Sequence, residues 1–358
     1  MARQPEQSAS GQPAAEPTAA ERGFAERAVA QLYHSWITGL ILALAARKGA
    51  ATAEEFVFRL FRTQHLEKFL PGLDKLGLRG QPHAVAAAKY HYLSNQLGGV
   101  KVEYYEESPI KAWVRYPPPR WIWAGTAICG IPSEVNRAML RGWHAHNGVS
   151  LGNPRLGFVC TGTTVDGQPG LEGYYLEHAQ PLNEDQRLQF RPEQRCPAID
   201  PAALPRLDAV DWPAERQAKA YRNYAMEYLR NGLPVLVSLL GPEEARYIGR
   251  IAALQIGMHG SDQLLAELGR APTDTAGYLD VLQVVLEASG DQVVREDQAL
   301  VQRDWRLFRG LQVHPVVRDI WLALLEGLLA TQDRFLRLRA QASGHGGLRL
   351  TVARPDPD

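Results

Sequence analysis

The sequence predicts an α+β fold of two tandem pseudo-repeated units, each with helices packed on a small antiparallel sheet. Three observations carry this. The order helix, two strands, helix, hairpin occurs twice along the 358 residues. Apolar residues change from helical spacing to period two at matching points in each half. TAEEFVFRLF and GPEEARYIGRI stand as corresponding helix starts. Identity between the halves is low, so the duplication is one of pattern.

Taken in chain order, residues 1–22 are rich in Gln, Ala, Pro, Ser and Glu and read as a disordered tail. The first unit spans 23–178 and holds the candidate site. Helical spacing runs from Phe24 to Lys48, and TAEE from Thr52 to Glu55 is a capping-box pattern expected to open a second helix. A third helix is expected from Ala84 to Leu97, stopped by Gly98 and Gly99. VKVEYYEE and IKAWVRYPPP then alternate as a strand pair, a helix is expected from Ser133 to His146, and RLGFVCTGTTV and LEGYYLEH flank DGQPG as a hairpin.

Between the units, 179–213 is a Pro-rich connector that reads as ordered but irregular chain wrapping one domain. The second unit, 214–358, has helices expected over 214–240, 242–258 and 276–288, and strands in QVVRE and ALVQRDWRLF. A helix over 315–330 and a hairpin through SGHGG complete it. This unit carries mostly core-type residues and reads as structural or as a dimerisation surface, which makes a homo-oligomer the expectation.

Lys plus Arg and Asp plus Glu balance at 39 each, with no long block of one sign, which argues against nucleic acid and an anionic membrane as partners. Cys129, Cys160 and Cys196 lack the close spacing of a zinc ribbon or redox pair, so a reducing, cytoplasmic setting is expected. The longest apolar run, Ile37 to Ala46, is about half of what crosses a bilayer, and the N-terminal segment lacks the apolar core of a signal peptide. No HExxH, paired CxxC, GxSxG or GxxxxGK[ST] motif occurs, which removes support from the common zincin, zinc-ribbon, α/β-hydrolase and P-loop classes.

Candidate chemistry concentrates in RGWHAHNGVSLGNPRLGFVC, where two histidines one residue apart precede a cysteine. On an unbroken helix advancing about 100° per residue, Val135, Met139, Trp143 and His146 share the stripe that meets the sheet, and His144 lies opposite, toward solvent. If Val165 pairs with Leu171, Cys160 faces Leu176, with His178 its diagonal neighbour and Tyr174 on the same side. An imidazole there could turn the thiol into a thiolate; the plainer reading is a small buried hydrophobe. Alternation also groups Glu103 and Tyr105 with Lys101, and Trp113 and Arg115 with Lys111. That face is either a solvated surface with cross-strand ion pairs or a pocket wall in which Arg115 holds a carboxylate and Glu103 acts as acid or base. His91, with Tyr90 and Asn95, lies on a helix backing this sheet. His146, Cys160 and His178 are also the candidate ligands for a divalent metal such as zinc or iron, although their spacing fits no recognised pattern.

The order helix, strands, helix, terminal hairpin resembles the 4-vinyl reductase type of small-molecule-binding domain. NPRLGFVCTGTTVDGQPGLEGYYLE resembles the L-2-amino-thiazoline-4-carboxylic acid hydrolase family. The first resemblance implies cysteines near the terminal hairpin; Cys160 is the one such position, which points to the first half as the half with chemistry. Together they imply a small-molecule hydrolase acting on a C–N bond of a carboxylate-bearing substrate. In that scheme Cys160 is the nucleophile, His178 the base, Arg115 the carboxylate anchor, and His146 or Glu103 the group protonating the leaving nitrogen, with Trp113, Tyr105 and Tyr174 against the substrate. Two other classes stay open: a non-catalytic small-molecule binder or sensor, and a metal-dependent lyase or hydrolase.

Overall fold

The structure, a computed structural model, describes residues 18–354 apart from 121, 123, 208, 345 and 346. Most of the expected tail therefore lies outside the described residues, but 18–22 do not belong to a tail. Thr18 caps α1 (Ala19–Lys48): its side chain accepts from the Glu21 N–H, and its own N–H donates to the Glu21 carboxylate at 2.7 Å. Gly49, at φ +87°, turns the chain into α2 (Ala50–Lys75). That helix opens at Ala50 instead of at Thr52, whose hydroxyl donates to the Lys48 carbonyl.

The first half continues through α3 (His83–Leu97), β1 (Glu103–Ser108), β2 (Lys111–Tyr116), α4 (Ser133–Gly142), the single turn α5 (Asn147–Ser150), β3 (Leu156–Gly162), β4 (Leu171–Glu177) and β5 (Leu188–Phe190). The second runs α6 (Ala214–Leu240), α7 (Pro242–Leu268), α8 (Thr275–Ala288), β6 (Gln292–Glu296), β7 (Ala299–Asp304), α9 (Pro315–Gln332), β8 (Arg337–Ser343) and β9 (Gly347–Ala353). The fold is α+β, as predicted. The two sheets repeat one order, β1-β2-β4-β3 and β6-β7-β9-β8, and β5 adds in parallel to the free edge of β3. Gly241, at φ +77°, joins α6 to α7 as Gly49 joins α1 to α2. The helix α7 runs past its expected stop at Met258 to Leu268, where Gly269 in the left-handed region ends it.

The first helices are exchanged between units. α1 lies against α6 and α7, and α6 lies against α1 and α2. One apolar core therefore runs through both halves, from Trp36 and Phe56 through Leu233 to Leu282 and Trp321. α1 is long and apolar enough to cross a membrane, but 67% of its most apolar window is buried within the fold.

In the second unit α7 and α9 approach almost backbone to backbone. A Cβ added to Gly257 would lie 2.2 Å from the Leu324 carbonyl oxygen, and one on Gly327 would lie 2.3 Å from that of Leu254. Only glycine permits this approach. Gly257→Ala should therefore cost about 1–3 kcal/mol through overpacking. Gly344→Ala, where an added Cβ meets nothing within 4 Å, serves as the control. Urea denaturation followed by circular dichroism checks this; equal stability of the two variants contradicts the close crossing.

Candidate functional site

The tight α7–α9 crossing closes the space between α7, α8 and α9 to about 10 Å³. The corresponding space in the first unit is hollow: α2, α3, α4, β2 and α6 surround a cavity of about 380 Å³. Its walls are aromatic. Tyr90 stacks toward Trp143 with centroids 6.4 Å apart, Tyr116 comes from β2, and Tyr224 and Tyr228 come from α6. Gly98 seats the Tyr224 ring, since a Cβ there would lie 2.6 Å from it. The second unit thus contributes a wall to the site of the first.

Arg120, just after the YPPP run, lines this cavity and is part-buried. Its guanidinium lies 4.8 Å over the Tyr116 ring, and Nη2 is 3.9 Å from the Met139 sulfur. Nε and Nη1 are buried without a hydrogen-bond partner among the described residues. Burial pushes its pKa down, and the neighbouring Tyr116 offsets this in part. Three other cavity residues hold buried polar atoms in the same condition: Gln64 Oε1, Trp143 Nε1 and Glu227 Oε2. Buried polar groups are normally satisfied, so four such residues around one space mark a place built for a partner.

Beside Arg120, His91 and His144 stack with ring centroids 4.1 Å apart. Asn147 Nδ2 donates to the Tyr175 hydroxyl at 2.9 Å, which leaves the single phenol proton for His144 Nδ1, 2.7 Å away. The same amide nitrogen reaches His91 Nε2 at 3.2 Å. This network places the His144 proton on Nε2 and the His91 proton on Nδ1. Burial, with Arg120 nearby, pushes the His144 pKa down to about 3; burial and then His144 hold His91 well below its ordinary value. Both imidazoles are neutral hydrogen-bonding groups at ordinary pH.

The predicted site residues fall elsewhere. α4 ends at Gly142, where a Cβ would lie 2.8 Å from the Phe58 carbonyl oxygen, and the chain tightens into a 3₁₀ turn at His144–His146. The tighter turn reverses the expected faces: His144 is buried against Phe158 and Tyr175, whereas His146 is half-buried, edge-on to His65 at 5.1 Å. The hairpin register also differs. Thr164–Asp166 forms a 3₁₀ turn, and the strand is irregular between Cys160 and Gly162, so Cys160 pairs with Gly173 instead of facing Leu176. An odd shift moves side chains to the other face. Cys160 therefore points into the helix-covered core, while His178 lies on the opposite face beside Gly157 and Leu182. Burial pushes the Cys160 thiol up to about 12, and Sγ donates only to the Gly162 carbonyl at 3.5 Å. The Cys160–His178 couple is not formed, and His146, Cys160 and His178 do not converge on a metal. Among the described residues no group of three or more His, Cys, Asp or Glu side chains does so.

Glu103, Tyr105, Trp113, Arg115 and Tyr174 do share one face, through the pairs Glu103–Arg115, Tyr105–Trp113 and Trp113–Tyr174. It is the outer face, away from the helices, where the connector lays Cys196 and Ile199 on Trp113 and Tyr174. A cleft of about 520 Å³ opens there beside Glu103, Arg115, Glu172 and Cys196. Its polar groups are already partnered: Arg115 is bound by Glu103, Glu172 accepts from Thr161 and the Cys196 N–H, and Tyr174 donates to Gln194 at 2.7 Å. The expected cross-strand ion pair Glu103–Arg115 is present, but Trp113 and Tyr174 are buried under the connector, so this face is not solvated throughout. Of the cavity, sequence reasoning named His91, Tyr90 and Asn95 behind the sheet, Met139 and Trp143 on the sheet-facing stripe, and His144, which it placed on the opposite side. Arg120 was signalled by no more than a charged residue after three prolines, and Gln64 and Glu227 by nothing.

None of the known families, curated proteins or solved structures compared with the chain matches it.

Two measurements check this electrostatic picture. Cys160 and Cys196 stay protonated below about 12, whereas Cys129 is exposed. Iodoacetamide at pH 8 should therefore label Cys129 alone in the folded protein, and rapid native labelling of Cys160 contradicts the assigned face. Separately, the folded His91 and His144 refuse protons that the unfolded chain takes up below about pH 6.5. Stability should then fall as pH drops from 7 to 5, by about 2 kcal/mol for each of these two. His144→Phe should flatten that slope; an unaltered slope would show His144 to be solvated.

Proposed function

We propose that the protein binds a small molecule with an aromatic or apolar body and one carboxylate, held in the cavity of the first unit with Arg120 as its anchor. The observation that carries this reading is the pair of buried Arg120 guanidinium nitrogens without a hydrogen-bond partner among the described residues, lining a space of about 380 Å³ with aromatic walls. A guanidinium so placed is matched by a carboxylate, which takes two of its N–H groups at once. The volume is within the range of small-ligand sites. The proton-bearing nitrogens of His91 and His144 supply further neutral donors, while Lys68, paired with Glu227, and Lys75, over the Trp212 ring, are the other cations in the lining. Bond-breaking chemistry at this place would draw on His91, His144 and Tyr175, not on Cys160. A reducing, cytoplasmic location is part of the same proposal, supported by three free cysteines.

The test is calorimetric titration with benzoate, phenylacetate and 3-phenylpropionate, each against its primary amide. Carboxylates should bind and amides bind at least tenfold more weakly, with Arg120→Gln erasing the difference. Arg120→Gln should also raise the melting temperature of the ligand-free protein, because it removes a charge whose buried Nε and Nη1 have no hydrogen-bond partner among the described residues. Equal binding of acids and amides, or an acid preference that persists in Arg120→Gln, rejects the reading.

A further inference from the structure

A carboxylate on Arg120 meets only donors among the unpartnered atoms around the cavity. Arg120 and Trp143 are donors, but Glu227 Oε2 and Gln64 Oε1 are acceptors, and a ligand with nothing but an acid head leaves both unmet. Glu227 is the firmer of the two, because a carboxylate oxygen can only accept whereas an amide can be turned. Its other oxygen is occupied by Lys68 Nζ at 2.9 Å, across from α2 to α6. Gln64 stands one turn before Lys68 on α2, so its side chain lies on the same helix face as the bridge. The Glu227 side chain is 27% exposed and that of Lys68 42%, Gln64 is buried, and Arg120 is part-buried, so unmet donors and unmet acceptors sit together in one lining. The cavity thus presents both kinds of group to a ligand, with aromatic rings among them.

Resting on the carboxylate reading above, we infer that the ligand is dipolar: it carries, besides its acid, an amine or other N–H group that Glu227 Oε2 and Gln64 Oε1 receive. A hydroxyl fits less well, since it offers one proton to two acceptors, whereas an ammonium offers three. A ligand without an N–H group leaves the second oxygen of Glu227 without a donor. Glu227 is in this sense a specificity-determining residue, and Lys68 holds it in position.

The experiment titrates the protein with 4-methylbenzoate and with 3- and 4-(aminomethyl)benzoate, which share the acid and ring and differ in the amine. At least one amine should bind roughly tenfold or more tightly than 4-methylbenzoate, as a charge-assisted hydrogen bond in a partly buried site warrants. In Glu227→Gln that ratio should fall to near one, with circular dichroism confirming the fold. Arg120-dependent binding of 4-methylbenzoate with no gain from either amine, or a gain that survives Glu227→Gln, overturns this inference alone. Absence of Arg120-dependent binding for all three acids overturns the carboxylate reading beneath it.

Discussion

Glu26 and Arg222 meet 2.8 Å apart where α1 crosses α6, with both side chains almost wholly buried. Two charges removed from water hold together only when geometry is good and further hydrogen bonds are made, and Arg222 also donates to Asn223 Oδ1 and to the Ala288 carbonyl at the end of α8. The pair thus fixes the first helix of one unit to the first and third helices of the other. Because α1 and α6 are exchanged, neither half closes its apolar core alone, and folding of one unit is bound to folding of the other. The cavity inherits this constraint. Its Tyr224, Glu227 and Tyr228 reach the first unit only because α6 is committed there.

Within that frame the site is organised by charge economy. Arg120 is one fixed cation in an aromatic enclosure, and a second cation beside it would be severely penalised. The neighbouring histidines avoid this by staying neutral, held so by burial and by the Tyr175–Asn147 network. The stacking of His91 on His144 at 4.1 Å is itself tolerable only if the rings are not both charged. Burying Arg120 nitrogens without a hydrogen-bond partner among the described residues costs stability.

Much of the fold was legible because periodicity and punctuation agree: α3 and α6 start or stop within a residue of their pattern limits, and both terminal hairpins are present. The site was less legible because it hangs on details of one residue. Where α4 gives way to a 3₁₀ turn, His144 and His146 trade places, since an advance of about 120° per residue replaces about 100°. In the hairpin, one turn and one irregular strand position carry Cys160 from the predicted face to the core. The cavity draws on α2, α3, α4 and α6, distant segments whose meeting no local pattern announces. Alternation did group Glu103, Tyr105, Trp113 and Arg115 correctly on one face, but it cannot say which face the helices cover.

The two halves therefore show how one frame yields a filled space and a hollow one. In the second unit Gly257 and Gly327 let α9 sink onto α7, and the interior between α7, α8 and α9 is taken up by Leu264, Leu282 and Leu328. In the first, α4 stops after ten residues at Gly142, and the chain that follows brings imidazole and amide groups to the place where α9 continues as helix. A shortened helix removes apolar filling, and the resulting space is lined by groups that need partners. The Trp143 indole and the His144 imidazole line the cavity because α4 ends where it does, and the close contact of Gly142 with the Phe58 carbonyl sets that end against α2.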